Sequence, residues 1–345
     1  MISHYQEIAK KIEQNIANQT YGDMLPPLRE LSKQFNVSLS TIQKALSVLS
    51  KRSLIVADST RGVRIVYRPK SKIIGVFCNF RKGSSSDVVV QSLRRAIEKD
   101  GYEAIFVDIP EKVCNEPGGA FWRYGWADGY VSLYGTSDTK IDLCLQNFDL
   151  PVVTANHAYR NGPLHCVDFD HRRLVRELAE GLYKRGYRRI ALSFTICSKL
   201  ISEEVNAEFS AFLSNHNLSC RPEWLTSASE SDIEIPREAR IARQFEEMLN
   251  QEAECPEAII CFHHGLKFAV ALAAQYGLIP GRDIVLAGTG RGDTPQPGVL
   301  PVEFSYHALA NGLWEQLKKH LANPGKPETL WIPPPPIDWR NIPEK

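Results

Sequence analysis

The sequence predicts an α/β protein in two parts. A small N-terminal module of three helices and a β-hairpin precedes a long, doubly wound body in two lobes. Three observations carry that expectation. Residues 1–72 hold twelve Lys and Arg against five Asp and Glu, a net charge of +7, whereas the remainder holds 29 against 35, a net charge of −6. The stretch Leu25–Leu46, LPPLRELSKQFNVSLSTIQKAL, reads as two short helices joined by a tight turn. From Ile73 to Gly288 short apolar runs alternate with segments of helical period, the pattern of a mostly parallel sheet covered by helices. A compact basic segment on an acidic body calls for a polyanionic partner at the first part alone.

Length and composition agree with this division. A chain of 345 residues is too long for one ordinary domain. Its apolar share of 43% and charged share of 23% are those of a soluble globular protein. No apolar run approaches the length that spans a bilayer. The start, MISHYQEIAKKIEQ, is amphipathic and charged and lacks the apolar core of a signal peptide, so the expected location is the cytoplasm. The eight cysteines are scattered, with no Cys-x-x-Cys pair, and are expected to be free thiols.

In chain order, a first helix is expected over His4–Asn18, with Tyr5, Ile8, Ile12 and Ile16 as its apolar stripe. A second follows Pro26-Pro27 and runs over Leu28–Phe35; a proline suits a helix start because its missing N–H has no partner there. Asn36-Val37 is the turn, and Ser38 is an N-cap whose hydroxyl accepts from the next turn. The third helix runs from Leu39 to Ser50. It buries Ile42, Ala45, Leu46 and Leu49 and offers Ser40, Thr41, Gln43, Lys44 and Ser47 to solvent, as a helix that reads the major groove must. Ser53–Val56 and Val63–Val66 read as two strands around the loop Asp58–Gly62, which makes the hairpin a wing. Arg61 and Gly62 at its tip can reach phosphate or a minor groove. The module is therefore a winged helix–turn–helix over residues 1–68, with 69–72 as a basic, proline-containing linker and 73–345 as the body.

Residues 5–66 resemble the GntR-type winged helix. The resemblance rests on Tyr5-Gln6-x-Ile8, Leu25-Pro26-Pro27-Leu28-Arg29-Glu30-Leu31, Val37-Ser38-x-Ser40-Thr41, Ala45-x-x-x-Leu49 and Arg61-Gly62-Val63. It implies that Arg29, Ser38, Ser40, Thr41, Gln43 and Gly62 contact double-stranded DNA. Lys44 and Arg61 join them from the reading of the residues above. The family commonly carries Arg where this chain has Leu39, and Leu cannot supply a bidentate contact to guanine.

In the body, strands are expected over Ile73–Cys78, Ala104–Val107, Gly129–Leu133, Leu150–Thr154, Arg189–Ser193, Ala258–Phe262 and Ile284–Gly288. Helices are expected over Val88–Lys99, Leu174–Arg185, Ala239–Gln251 and Leu266–Tyr276. The body resembles the sugar-responsive core of LacI/GalR regulators, a two-lobed, periplasmic-binding-protein-like (type I) fold. The carrying motifs include Ala127-Asp128-Gly129-Tyr130-Val131, Arg185-Gly186-Tyr187-Arg188-Arg189-Ile190-Ala191 and Gly277-Leu278-Ile279-Pro280-Gly281-Arg282-Asp283-Ile284. The resemblance implies an effector held at the carboxyl ends of strands. The matching positions are Asn79, Phe80, Tyr134, Asn156, Asp170, Phe194, His264 and Arg291. His263-His264 stands where the family often has Asn-Asp, and Val205 near a position where it often has Arg, so a ligand with a carboxylate or phosphate is an alternative to a sugar.

Plainer roles compete for several of these residues. Adjacent residues at a strand end point opposite ways, which counts against His263-His264 as a metal pair. Asp170 also suits a helix N-terminus. Pro333–Pro336 reads as the start of an extended tail packed on the body, with a polyproline ligand as the alternative. The expected protein is a DNA-binding transcriptional regulator, repressing as a homodimer, controlled by a small effector and using no cofactor or metal. Two other classes share the body's fold. An enzyme is disfavoured because no Gly-x-Ser-x-Gly elbow, P-loop or Gly-x-Gly-x-x-Gly follows a strand. A transport solute-binding protein is disfavoured by the basic reader.

Overall fold

The apolar periods of the sequence become elements much as the physics of burial requires. The computed structural model describes residues 4–18, 20–22, 24–52, 54–58, 62–65, 71–78, 85–108, 127–133, 151–155, 162, 164–194, 199–227, 235–249, 255–262, 265–290, 296–323 and 325–345. Helices α1 (His4–Ala17), α2 (Leu28–Phe35) and α3 (Leu39–Lys51) precede strands β1 (Ile55–Asp58) and β2 (Gly62–Ile65). There follow β3 (Ile73–Phe77), α4 (Ser85–Lys99), β4 (Glu103–Val107), β5 (Gly129–Ser132), β6 (Val152–Thr154) and β7 (His165–Phe169). Then come α5 (His171–Lys184), β8 (Ile190–Phe194), α6 (Lys199–Asn215), β9 (Leu225–Ser227), α7 (Arg237–Leu249), β10 (Ala258–Cys261) and α8 (Gly265–Gln275). The last elements are β11 (Val285–Thr289), β12 (Val299–Val302), α9 (Tyr306–Ala322) and β13 (Thr329–Ile332).

Two compact units result. Unit 1 is Met1–Cys166 with Ala310–Thr329, and unit 2 is Val167–Leu309 with Leu330–Lys345. The divisions fall inside β7, α9 and β13, so the chain passes between the units three times.

In unit 1 the winged module has its own core of Ile8, Ile12, Ile16, Leu31, Ile42, Ala45, Leu49 and Ile55, all nearly or wholly buried. The six-stranded sheet has the order β13-β7-β6-β5-β3-β4. β3 pairs in parallel with β4 and with β5, and its run Ile74 to Phe77 is buried, as a strand covered on both faces must be. Leu93 and Ile97 of α4 add to that core. Just ahead of β5, one Asp128 oxygen accepts from the Ser71 N–H (2.9 Å) and hydroxyl (3.0 Å), and the other accepts from the Lys72 N–H (2.9 Å). This carboxylate fixes the chain where it enters β3.

Unit 2 holds a five-stranded parallel sheet of order β12-β11-β10-β8-β9. Ile241, Phe245 and Met248 of α7 and Ala269 and Ala273 of α8 pack in one cluster with Ile259 and Leu286 of the sheet. Glu257 accepts from the Arg188 N–H (2.9 Å) and Arg189 N–H (3.2 Å) and meets the Lys345 ammonium. Burial works against its charge, but these donors bring its carboxyl down to about 2. The stretch after β13 lies along unit 2: the Tyr187 hydroxyl donates to the Pro343 carbonyl (3.0 Å), and the Lys345 N–H to the Arg185 carbonyl (2.8 Å). That matches a packed tail after Pro333–Pro336.

Two differences from the expected elements have physical causes. Among the described residues the wing strands stand at Ile55–Asp58 and Gly62–Ile65, where Ser53–Val56 and Val63–Val66 were expected; Ser53 and Val66 lie outside the described residues. The Leu54 N–H still belongs to the end of α3, donating to the Leu49 carbonyl at 3.0 Å. Strands β7, β9, β12 and β13 and helices α6 and α9 are additional to the expected set. Among the described residues the cysteines are free, and no helix is long and apolar enough to cross a membrane.

Candidate nucleic-acid interface

The reading element is built by local signals. Pro27 stands at the N-cap of α2, and its carbonyl receives the Glu30 N–H (2.8 Å) and Leu31 N–H (3.1 Å). Asn36 ends the helix in the left-handed region at φ +51°, where asparagine is tolerated better than most residues. Its neighbour Val37 donates its N–H to the Ser32 carbonyl at 3.1 Å and receives the Ser32 hydroxyl at 2.5 Å. The chain has then reversed, and Ser38 opens α3 by accepting the Thr41 N–H at 3.2 Å. The Tyr21 hydroxyl accepts from the Asn15 amide (3.0 Å) and donates to the Gln34 amide oxygen (3.2 Å), fixing α1 to α2. Arg52 closes on Glu13 with both guanidinium nitrogens at 2.6 Å, fixing the end of α3 to α1.

Buried and exposed positions of α3 divide cleanly. Ile42, Ala45, Leu46 and Leu49 face the module core. Ser38, Ser40, Gln43 and Lys44 are exposed, Thr41 is half-buried, and Arg29 of α2 is exposed as well. The Ser38 hydroxyl lies 2.9 Å from those of both Ser40 and Thr41, so the three form one hydrogen-bonded knot around the cap. The wing pairs Asp58 with Gly62 across an antiparallel ladder. Gly62 has φ +102°, which a side chain resists, and this explains a glycine at the wing tip. The Leu25 N–H donates to the Val63 carbonyl at 2.8 Å and attaches the wing to the chain ahead of α2. Arg61 lies outside the described residues.

In the sensor, Asp170 caps α5 by accepting the Arg173 N–H at 3.1 Å, the role open to it beside ligand binding. Phe194 ends β8 and is wholly buried, its ring 5.5 Å from that of Phe262. Asn79, Phe80, Tyr134, Asn156, His264 and Arg291 lie outside the described residues. The structure adds aromatic side chains that the sequence reading does not single out. At the carboxyl ends of β7 and β12, Phe169 and Phe304 stack at 4.5 Å, with Tyr306 edge-on to Phe169 at 5.5 Å and His171 edge-on to Phe304 at 5.1 Å. The available signal was a Phe that ends or closely follows an apolar run, at His165–Phe169 and after Val299–Val302, but neither run was expected as a strand.

Family comparison now decides the class. Residues 4–65 match the family described as bacterial regulatory proteins, gntR family. Residues 125–284 match periplasmic binding proteins and the sugar binding domain of the LacI family. The chain joins a GntR-type DNA-binding domain to a LacI-type periplasmic-binding-like domain and is a ligand-responsive transcriptional regulator. The regulator is 24% identical over 289 residues to the arabinose metabolism transcriptional repressor of Geobacillus stearothermophilus, covering 77% of this chain and 75% of that protein. Among solved structures it shares its fold with a regulatory protein of the LacI family from Chloroflexus aggregans. That likeness has a TM-score of 0.63 at 18% identity, over 76% of this chain and 96% of the other. It shares its fold also with the transcriptional regulator CelR in complex with cellobiose, with a TM-score of 0.63 at 12% identity over 92% and 99% of the two chains.

Proposed function

We propose that the regulator is a repressor in the cytoplasm, binding a two-fold symmetric duplex as a homodimer and responding to a sugar-type effector. The observation that carries the reading is the exposed face of α3 on an N-terminal segment, residues 1–72, of net charge +7. Arg29 and the wing residues Arg61 and Gly62 hold phosphate, and the N-terminal part of α3 enters the major groove. Within it Gln43 is the residue that best suits adenine, to which a carboxamide donates and from which it accepts. Ser38, Ser40 and Thr41 set the entry of the helix, and Lys44 reaches base or backbone. The boundaries that go with this reading are 1–68 for the reader, 69–72 for the linker and 73–345 for the sensor.

The effector class is supported by the repressor relative, whose name assigns it to arabinose metabolism, and by the cellobiose complex of CelR. The aromatic rings of Phe169, Phe304 and Tyr306 suit the apolar face of a sugar ring; Asn79, Phe80, Tyr134, Asn156, Asp170, His264 and Arg291 stay as candidates for effector contact on the sequence resemblance alone. Phe194 is buried against Phe262, whose ring lies 5.9 Å from that of His171. An effector controls DNA affinity by binding one arrangement of the sensor better than the other, and the shift is limited to that difference in affinity.

Selection from a random duplex pool tests the DNA reading. The regulator should enrich one two-fold symmetric sequence. Gln43→Ala should weaken binding to it by about 1–3 kcal/mol, the value of a bidentate base contact, and should weaken binding to a scrambled duplex far less. Equal losses on the two duplexes would remove α3 from base reading.

A further inference from the structure

Leu39 is the first residue of α3, and its side chain is 45% exposed. In the described part of the reader it is the one large apolar side chain that stands in solvent. A single exposed leucine on a protein surface ordinarily calls for no explanation. Here its position does. With 100° between successive residues, Leu39 falls about 40° from exposed Gln43 and about 20° from buried Leu46, at the edge between the reading face and the core face of the helix. Its exposure puts it on the solvent side of that edge, at the end of the helix that enters the groove first. The hydroxyls beside it are engaged with one another, since Ser38 lies 2.9 Å from both Ser40 and Thr41. The cap is thus satisfied within the protein, and the side chains left to project from the first turns are Leu39, Gln43 and Lys44.

In the major groove of unmodified B-DNA, the C5-methyl group of thymine is the apolar mark on a base edge; the other marks are hydrogen-bond donors and acceptors. A leucine placed against donors and acceptors would strand them without partners, which costs more than the contact returns. We propose that Leu39 is a specificity-determining residue that packs on a thymine methyl in each half-site, selecting thymine over cytosine there. The inference rests on the proposed entry of α3 into the major groove.

The test uses the full chain and the duplex selected from the random pool. Each thymine is replaced in turn by deoxyuridine, which removes the methyl and keeps the hydrogen-bonding edge. At one thymine per half-site the wild-type protein should lose about fourfold in affinity per methyl, the value of one apolar carbon returned to water. Leu39→Ala should bind the unmodified duplex more weakly and be indifferent to that methyl, while Leu39→Met, which keeps an apolar side chain of similar reach, should stay sensitive to it. The inference is overturned if no thymine of the selected site separates wild type from Leu39→Ala, or if the selected site contains no thymine. If no duplex is enriched at all, the DNA reading itself fails, and that outcome is distinct from the two above.

Discussion

At the scale of single residues, the pair His165 and His320 shows how burial decides a charge. Their rings lie 4.4 Å apart within unit 1. His165 Nδ1 faces the Gln316 amide at 3.1 Å and the Glu328 N–H at 3.3 Å, so it acts as acceptor and the ring's proton belongs on Nε2. Gln316 also donates to the Glu328 carboxylate at 2.8 Å, and Lys319 pairs with the same carboxylate. Burial pushes the His165 pKa below the ordinary histidine value. The nearby Glu328 charge opposes that shift and Lys319 adds to it. His320 is lowered by burial and by His165. Each folded pKa lies below the unfolded one, so the unfolded chain takes up protons first as pH falls. The stability this provides is intact above about pH 6.5 and declines below it. His320→Phe should cost less than about 1.5 kcal/mol at pH 7, since it keeps an aromatic ring of similar volume. It should also reduce the loss of thermal midpoint between pH 7 and pH 5.5. A variant that loses as much as wild type over that interval would show that other groups set the slope.

At the scale of elements, Gly181 in the last turn of α5 is explained by the tail rather than by the helix. A Cβ there would stand 1.9 Å from the Trp339 ring, and the Arg185 guanidinium covers that ring at 4.5 Å. Glycine costs an interior helix position roughly 1 kcal/mol relative to alanine. The Trp339 contact outweighs this, because displacing a large aromatic exposes surface worth about 1.5–3 kcal/mol. Gly181→Ala should therefore lower stability by about 1–2 kcal/mol in the wild-type chain. In Trp339→Ala the same change should raise stability, and denaturant midpoints of the four proteins form the cycle that decides it. No sign reversal would mean that the close approach does not govern the position. The α2–α3 turn was legible to the residue, because Pro27, Asn36 and Ser38 are local signals whose effect is confined to their own turns. The first wing strand starts two residues later than expected, because Leu54 looks like a strand residue and is held by α3. Helix α6 carries Ile201, Val205, Phe209 and Phe212 at helical spacing and all buried, so its signal was present in the sequence. Strand β13 was not legible, since it pairs with β7 across some 160 residues, and a lone apolar run does not name its partner. The sensor's aromatic cluster shares that limit: Phe169 and Phe304 meet at 4.5 Å although β7 and β12 belong to different sheets, a juxtaposition that no local pattern records.

At the scale of the whole molecule, the near-zero net charge of +1 hides the separation of a basic reader from an acidic body. Screening confines each exposed charge to about 8 Å at physiological salt, so DNA affinity depends on the groups that touch phosphate and not on the total. Each neutralised phosphate contributes a slope of about −0.9 to the logarithm of affinity against the logarithm of salt. Arg29 is exposed in the reader, whereas Arg243 is a half-exposed partner of Glu247 in α7 of the body. Arg29→Ala should therefore flatten the salt dependence by about one unit of slope, and weaken selected and scrambled duplexes alike, as a backbone contact does. Arg243→Ala, with the same change of net charge, should leave the slope unchanged. Anisotropy titrations from 50 to 300 mM salt read both. An equal flattening in the two variants would mean that net charge governs the attraction. No flattening in either would mean that Arg29 stands clear of phosphate, and that the basic charge of the reader acts through Lys44 and the wing.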